Sequence, residues 1–205
     1  GLLPPNARCS GAVSLEGLEL TACGERALCR VRGSRVSMVF QNPMTALNPT
    51  RSAEDQIAEA VRLHHPGLPR REVCRRVGEL LDLVGVPRPE TRRGRYPHQL
   101  SGGTCQRMTL AMALAGEPRL LLADEATTAL DVTAQARILE LLRTLRQKTR
   151  IAVLLVTHDL GVAARTADRV AVMREGRIVE TGAAEHIFEK PAYPYTREFL
   201  GRCPL

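Results

Sequence analysis

Hydrophobic and polar positions first alternate along this chain. Ala12, Val13, Ser14 and Leu15, then Leu18, Glu19 and Leu20, flank Glu16-Gly17, which predicts two short strands around a glycine turn, an antiparallel hairpin. Residues 25–31 are expected to form a short helix. Arg35 to Gln41 (RVSMVFQ) is apolar and β-branched enough for a strand, which Asn42-Pro43 ends. The period then lengthens. Ser52 can cap a helix with Asp55 in its first turn and Ile57, Ala58, Val61 and Leu63 behind it. His64-His65-Pro66-Gly67 breaks that helix. Val73, Val77, Leu80, Leu81 and Val84 recur at spacings of three and four, an amphipathic helix stopped by Gly85. Pro87, Pro89 and Pro97 mark irregular chain. Residues 1–42 thus read as an N-terminal β part, and 43–100 as a separate helical lobe.

Beyond residue 100 the two periods take turns. Gly103 to Ala115 suits a helix. Leu120-Leu121-Leu122-Ala123 is a continuous apolar run, the mark of a strand covered on both faces. Val132 to Gln147 carries Ile138, Leu139, Leu141, Leu142 and Leu145 at helical spacing, and Ile151 to Val156 is a second fully apolar strand. Asp159 to Thr166 is expected to be helical, with strands at Val170–Met173 and Arg177–Glu180 around Glu175-Gly176. Strands alternating with helices predict a parallel sheet, an α/β core over 101–182, and a helical tail over 183–205. There is no internal repeat and no low-complexity tract.

Composition narrows the picture. The 205 residues are 44% hydrophobic and 25% charged, as in globular proteins, and burial of roughly 70% of the unfolded surface is possible at this length. No run of ~18 apolar residues exists to span a membrane. Gly1-Leu2-Leu3-Pro4-Pro5 carries neither an initiator Met nor the charged n-region of a signal peptide, and a chain opening this way is expected to be a fragment. The net charge is +7, nearly all of it arginine. Only Arg70–Arg71, Arg75–Arg76 and Arg92–Arg95 cluster, the pattern of solvated faces. The six aromatics, Phe40, Tyr96, Phe188, Tyr193, Tyr195 and Phe199, make no stacking platform, so nucleic acid is not the expected partner. Cys9, Cys23, Cys29, Cys74, Cys105 and Cys203 show no C-x-x-C spacing, and they read as reduced thiols of a cytoplasmic protein.

Four short segments carry candidate chemistry. Asp124-Glu125 follows the apolar run at the carboxyl end of a predicted strand, where open α/β sheets place ligands. An acid there can hold Mg²⁺ on a triphosphate through water, and the adjacent Glu can polarise an attacking water. Equally, both acids can solvate a loop or cap the helix starting near Val132. Leu100-Ser101-Gly102-Gly103 joins a hydroxyl and two permissive glycines to a helix start, which suits either a phosphate oxygen or a simple N-cap. His158, in Thr157-His158-Asp159, ends the second apolar strand and serves as either a structural or a catalytic group. Gln41 ends RVSMVFQ, and a neutral amide there can sense both metal and water.

In combination, Gln41, Ser101-Gly102-Gly103, Asp124-Glu125, Ala129-Leu130-Asp131 and His158 resemble, in order and spacing, the nucleotide-binding subunits of ABC transporters. They correspond to the Q-loop, signature, Walker B, D-loop and switch histidine, and the resemblance runs over the whole chain. Met44-Thr45-Ala46-Leu47-Asn48-Pro49 and Pro194-Tyr195-Thr196 are similar to the dipeptide, oligopeptide and nickel importer branch. The resemblance implies a P-loop NTPase-like parallel core sheet with a helical subdomain and a small N-terminal antiparallel β part, truncated at its N-terminus. It implies ATP and Mg²⁺ as cofactors, with Asp124 and Gln41 at the metal. Glu125 would act on water and His158 on the γ-phosphate, and Ser101, Gly102, Gly103, Gln106 and Asp131 would line nucleotide. Two such subunits, identical or not, would sandwich two ATPs beneath membrane permease subunits on the inner face of the cell membrane. An extracytoplasmic binding protein would act indirectly, for peptides or nickel. Departures are Ala126 where the family usually has Pro, Thr104-Cys105 after the glycines, and the absence from these residues of any G-x-x-x-x-G-K-[ST]. Two alternatives follow: a catalytically incomplete partner that lends its signature loop to an intact ATPase, and a soluble ABC-type ATPase acting on nucleic acid.

Overall fold

Three parallel strands position everything else. In the computed structural model, which describes residues 4, 6–86, 94–126 and 131–201, β3 (Val36–Val39), β4 (Leu120–Asp124) and β5 (Ala152–Val156) form a sheet in that order. Val39 lies level with Ala123, and Ala123 with Leu155, so the carboxyl ends of all three strands reach one edge. The first short hairpin, β1 (Ser14–Leu15) and β2 (Leu18–Glu19), is shorter than the alternation predicts, because Leu20 turns into a 3-10 segment. A second hairpin pairs β6 (Arg169–Arg174) with β7 (Arg177–Ala183).

Helices fill the intervals: α1 (Glu25–Val31), α2 (Pro43–Ala46), α3 (Ala53–His64), α4 (Arg70–Leu83), α5 (Gly102–Leu114), α6 (Val132–Thr149), α7 (Leu160–Thr166), α8 (Ala184–Glu189) and α9 (Pro194–Gly201). The short α2 is absent from the sequence expectation. There Asn42 does more than end a strand: its side chain accepts from the Met44 N–H, and Pro43 takes the first helical position, where its missing donor costs nothing. Pro87, Pro89, Arg92, Ala129, Leu130 and Cys203 lie outside the described residues.

One buried apolar cluster joins the layers, running from Ile57 and Val77 on α3 and α4, through Leu110 on α5, to Leu121 on β4 and Leu142 on α6. Helix α5 packs against α2, α3, α4, β3 and α6, so it is shared between the helical region and the sheet. The entries to β3 and β4 cross closely: a Cβ on Gly116 would strike the carbonyl oxygen of Gly33. Arg76 on α4 binds Glu117 at 3.0 Å, which ties α4 to the connection between α5 and β4.

Strand β5 departs from the covered strand that its apolar sequence predicts. Leu154 is 57% and Val156 51% exposed, with Ala152 exposed beside them. The reason is topological. Among the described residues β5 pairs only with β4, and no described element covers the face carrying these alternate side chains.

Candidate functional site

Parallel register brings three chain reversals together. Gln41 stands two residues beyond β3, Glu125 one beyond β4, and His158 two beyond β5. Their side chains meet: Gln41 Nε2 donates to Glu125 Oε2 at 2.6 Å, and His158 Nδ1 lies 3.3 Å from Glu125 Oε1. Each carboxylate oxygen therefore has its own partner. The Glu125 N–H also donates to the Val156 carbonyl at 3.0 Å, so its backbone extends the β4–β5 ladder. That backbone has φ of +44°, a left-handed conformation that costs a side-chain-bearing residue on the order of 1 kcal/mol. Strain of this kind concentrates at functional positions. The Glu125 side chain is 28% and that of His158 68% exposed, so the pair opens to solvent on the histidine side. Asp124, the last residue of β4, is half-buried beside them.

A second group forms at helix starts. Ser101 caps α5, its Oγ accepting from the Thr104 N–H at 3.3 Å and sharing a 2.8 Å hydrogen bond with Thr104 Oγ1. Ser101 and Gly102 are exposed, at the positive end of a 13-residue helix. Asp131 caps α6, accepting from the Ala134 N–H at 2.8 Å. A Cβ on Gly103 would touch Ala134 at 3.5 Å, so the two helix starts are neighbours. Gln106 stands apart from both groups. It is fully buried on α5, and neither amide atom has a hydrogen-bond partner among the described residues.

One polar tie links the groups, and sequence reasoning passed over it. Gln135 Nε2 on α6 donates to Asp159 Oδ2 at 3.1 Å, while Asp159 Oδ1 caps α7 by accepting from the Val162 N–H at 3.0 Å. The Val162 N–H above all, with Gln135 adding to it, holds the Asp159 carboxyl below its ordinary 3.8. Nothing in the spacing flags Gln135, since a glutamine on a helix is usually a solvated residue.

Arranged this way, the first group can hold and polarise a water at a carboxylate. The second offers hydroxyl and N–H groups to an anion. Comparison with known proteins identifies the family. The ABC transporter family model matches residues 2–128. The chain is 48% identical over 202 residues to the oligopeptide transport ATP-binding protein OppD of Bacillus subtilis (strain 168), covering 98% of this chain and 56% of that protein. It is 47% identical over 206 residues to the dipeptide transport ATP-binding protein DppD of the same strain, covering 100% and 61%. It is also 47% identical over 204 residues to OppD of Mycobacterium tuberculosis (strain ATCC 25618 / H37Rv), covering 100% and 33%. The chain thus spans between a third and three-fifths of the length of these relatives. Among solved structures, the dimeric post-hydrolysis state of the ATP-binding cassette MJ0796 bound to ADP and Pi superposes with a TM-score of 0.75. It is 27% identical, and the match covers 85% of this chain and 74% of that one. With more than half its length matched by the family model and its sheet superposing on such a cassette, this chain belongs to the ABC transporter family.

Proposed function

We propose that the chain supplies ATP-hydrolysing machinery to an importer of peptides. The observation that carries this reading is Glu125, held at the carboxyl edge of a parallel sheet between Gln41 and His158. In that role Glu125 orients the attacking water as its base, and His158 contacts the γ-phosphate. Gln41 couples the Glu125 oxygen to the short helix that follows β3. Asp124, half-buried at the end of β4 beside Glu125, offers the carboxylate oxygen that suits Mg²⁺, which keeps most of its waters and needs one or two protein oxygens beside substrate phosphates. Asp124 and Gln41 would hold it, and the ion would neutralise charge on the triphosphate.

Ser101 and Gly102, exposed at the start of α5, and the half-buried Gly103 would face the nucleotide of a second subunit, identical or not, with Asp131 beside them. Permease subunits and, indirectly, an extracytoplasmic binding protein complete the proposal, with this chain on the inner face of the membrane. No helix among the described residues is long and apolar enough to cross a membrane. Peptide as the substrate class rests on what the names of the relatives say of those proteins; no relative named here speaks for nickel.

The chain contains no G-x-x-x-x-G-K-[ST], so the cradle for the β and γ phosphates comes, in this reading, from outside these residues. The purified 205-residue chain is then expected to hydrolyse almost no ATP by itself. Joined in one chain to a P-loop-bearing segment that completes its own site, it should gain Mg-dependent turnover, which Glu125→Gln lowers roughly 100- to 10,000-fold. Robust turnover by the chain alone overturns the reading, as does a joined protein indifferent to Glu125→Gln.

A second reading is favoured by that same missing loop and by the exposure of Ser101: the chain lends its signature segment to a partner and hydrolyses nothing itself. In that case, mixed with an intact P-loop-bearing partner, the chain stimulates that partner's turnover, and Ser101→Arg abolishes the stimulation while Glu125→Gln leaves it intact.

A further inference from the structure

His158 is more exposed than Glu125, and its one contact to Glu125 is 3.3 Å long. What holds the ring in place is the backbone on either side. Asp159 donates its N–H to Thr157 Oγ1 at 3.0 Å, which closes a tight loop around His158. The Asp159 carboxylate is then used twice, once by α7 through the Val162 N–H and once by α6 through Gln135. Gln135 lies in the first turn of α6, and its N–H donates to the Asp131 carbonyl at 2.8 Å. A continuous chain of hydrogen bonds therefore runs from Asp131, at the exposed start of α6, through Gln135 and Asp159, to the segment carrying His158.

We propose that Gln135 is a positioning residue for His158, transmitting the placement of the α6 start to the His158–Glu125 pair. The proposal rests on the reading of Glu125 and His158 given above. The residue type suits the task. A neutral amide donates one hydrogen bond of moderate strength, so the tie is specific yet can be released as α6 moves. A lysine or arginine would make a charge-assisted pair of roughly twice the strength, and a carboxylate would repel Asp159. Arg165 also acts on Asp159, by charge alone and as a minor influence. Gln135 is thus the hydrogen-bonding side chain that joins Asp159 to α6.

The test uses the full 205-residue chain with its histidine rings observed by NMR. Five histidines are present, and His158→Asn identifies the signal of interest. Glu125→Gln is expected to displace the His158 ring resonance. Gln135→Ala and the isosteric Gln135→Glu are expected to displace it comparably, while His64, His65, His98 and His186 stay in place. In the chain joined to a P-loop-bearing segment, both Gln135 variants should lower kcat by up to about 100-fold, the cost of a misplaced catalytic group, and leave KM within about twofold. If Glu125→Gln moves the His158 signal and neither Gln135 variant does, the proposal is overturned and the reading of the pair survives. If Glu125→Gln leaves the signal unmoved, the reading of the pair itself falls. Loss of the folded spectrum in both Gln135 variants assigns the residue to stability alone, and this too overturns the proposal.

Discussion

Glu125 and Gln106 show how differently polar side chains can be placed within one fold. Glu125 pays for a left-handed backbone and uses both carboxylate oxygens at the sheet edge. Gln106, which the family resemblance groups with the nucleotide-lining residues, is fully buried, with neither amide atom partnered among the described residues. A buried polar group without a partner costs about 1–3 kcal/mol. Gln106→Met keeps the volume and removes that penalty, so it should stabilise the chain by about 1 kcal/mol, read as a higher denaturant midpoint at unchanged slope. A loss of stability would mean that the amide is satisfied in solution, by an ordered water or a residue outside those described. Neither environment is visible in the sequence. Both residues stand in motifs of like polarity, and only packing sends one side chain to the edge and the other inside.

Helix starts were the most legible elements. Ser52, Ser101, Asp131 and Asp159 each precede an apolar-periodic run, and each accepts a hydrogen bond from a backbone N–H three residues on. A cap of this kind contributes about 1 kcal/mol. Its acid sensitivity is worked out most directly at Asp159. Its carboxyl lies below the ordinary 3.8 in the folded state, so its stabilisation is fully present above that value and is lost as pH falls through the lowered one. Asp159→Asn, which still caps but does not titrate, should flatten the acid limb of the stability profile in that window; a profile identical to wild type would show that the cap contributes nothing there. The end of β4 was legible too, because the acids after Ala123 interrupt an apolar run, whereas β3 stops at Val39, two residues short of the predicted end at Gln41. The short α2 was hidden, since Asn42-Pro43 reads as a strand terminator and in the structure starts a helix.

At the scale of the molecule, β5 sets the largest difference between pattern and structure. Five apolar residues in a row predict cover on both faces, yet Leu154 and Val156 stand open and one edge lacks a described partner. An open apolar edge invites pairing with another chain. The purified chain is therefore expected to self-associate, and Leu154→Lys should lower its apparent mass in sedimentation. Unchanged association with that substitution would place the contact elsewhere.

Local sequence by itself determined the elements, their caps, the parallel α/β class and the five ordered motifs, because propensity, period and capping act over a few residues. Only the tertiary structure decided which polar groups meet. Strand register brings Gln41, Glu125 and His158 within hydrogen-bonding reach although 84 and 33 residues separate Glu125 from its two partners. It likewise joins Gln135 to Asp159 across 24 residues, buries Gln106, and leaves one face of β5 open. Such contacts depend on how whole elements pack in space, and no window along the chain contains that information.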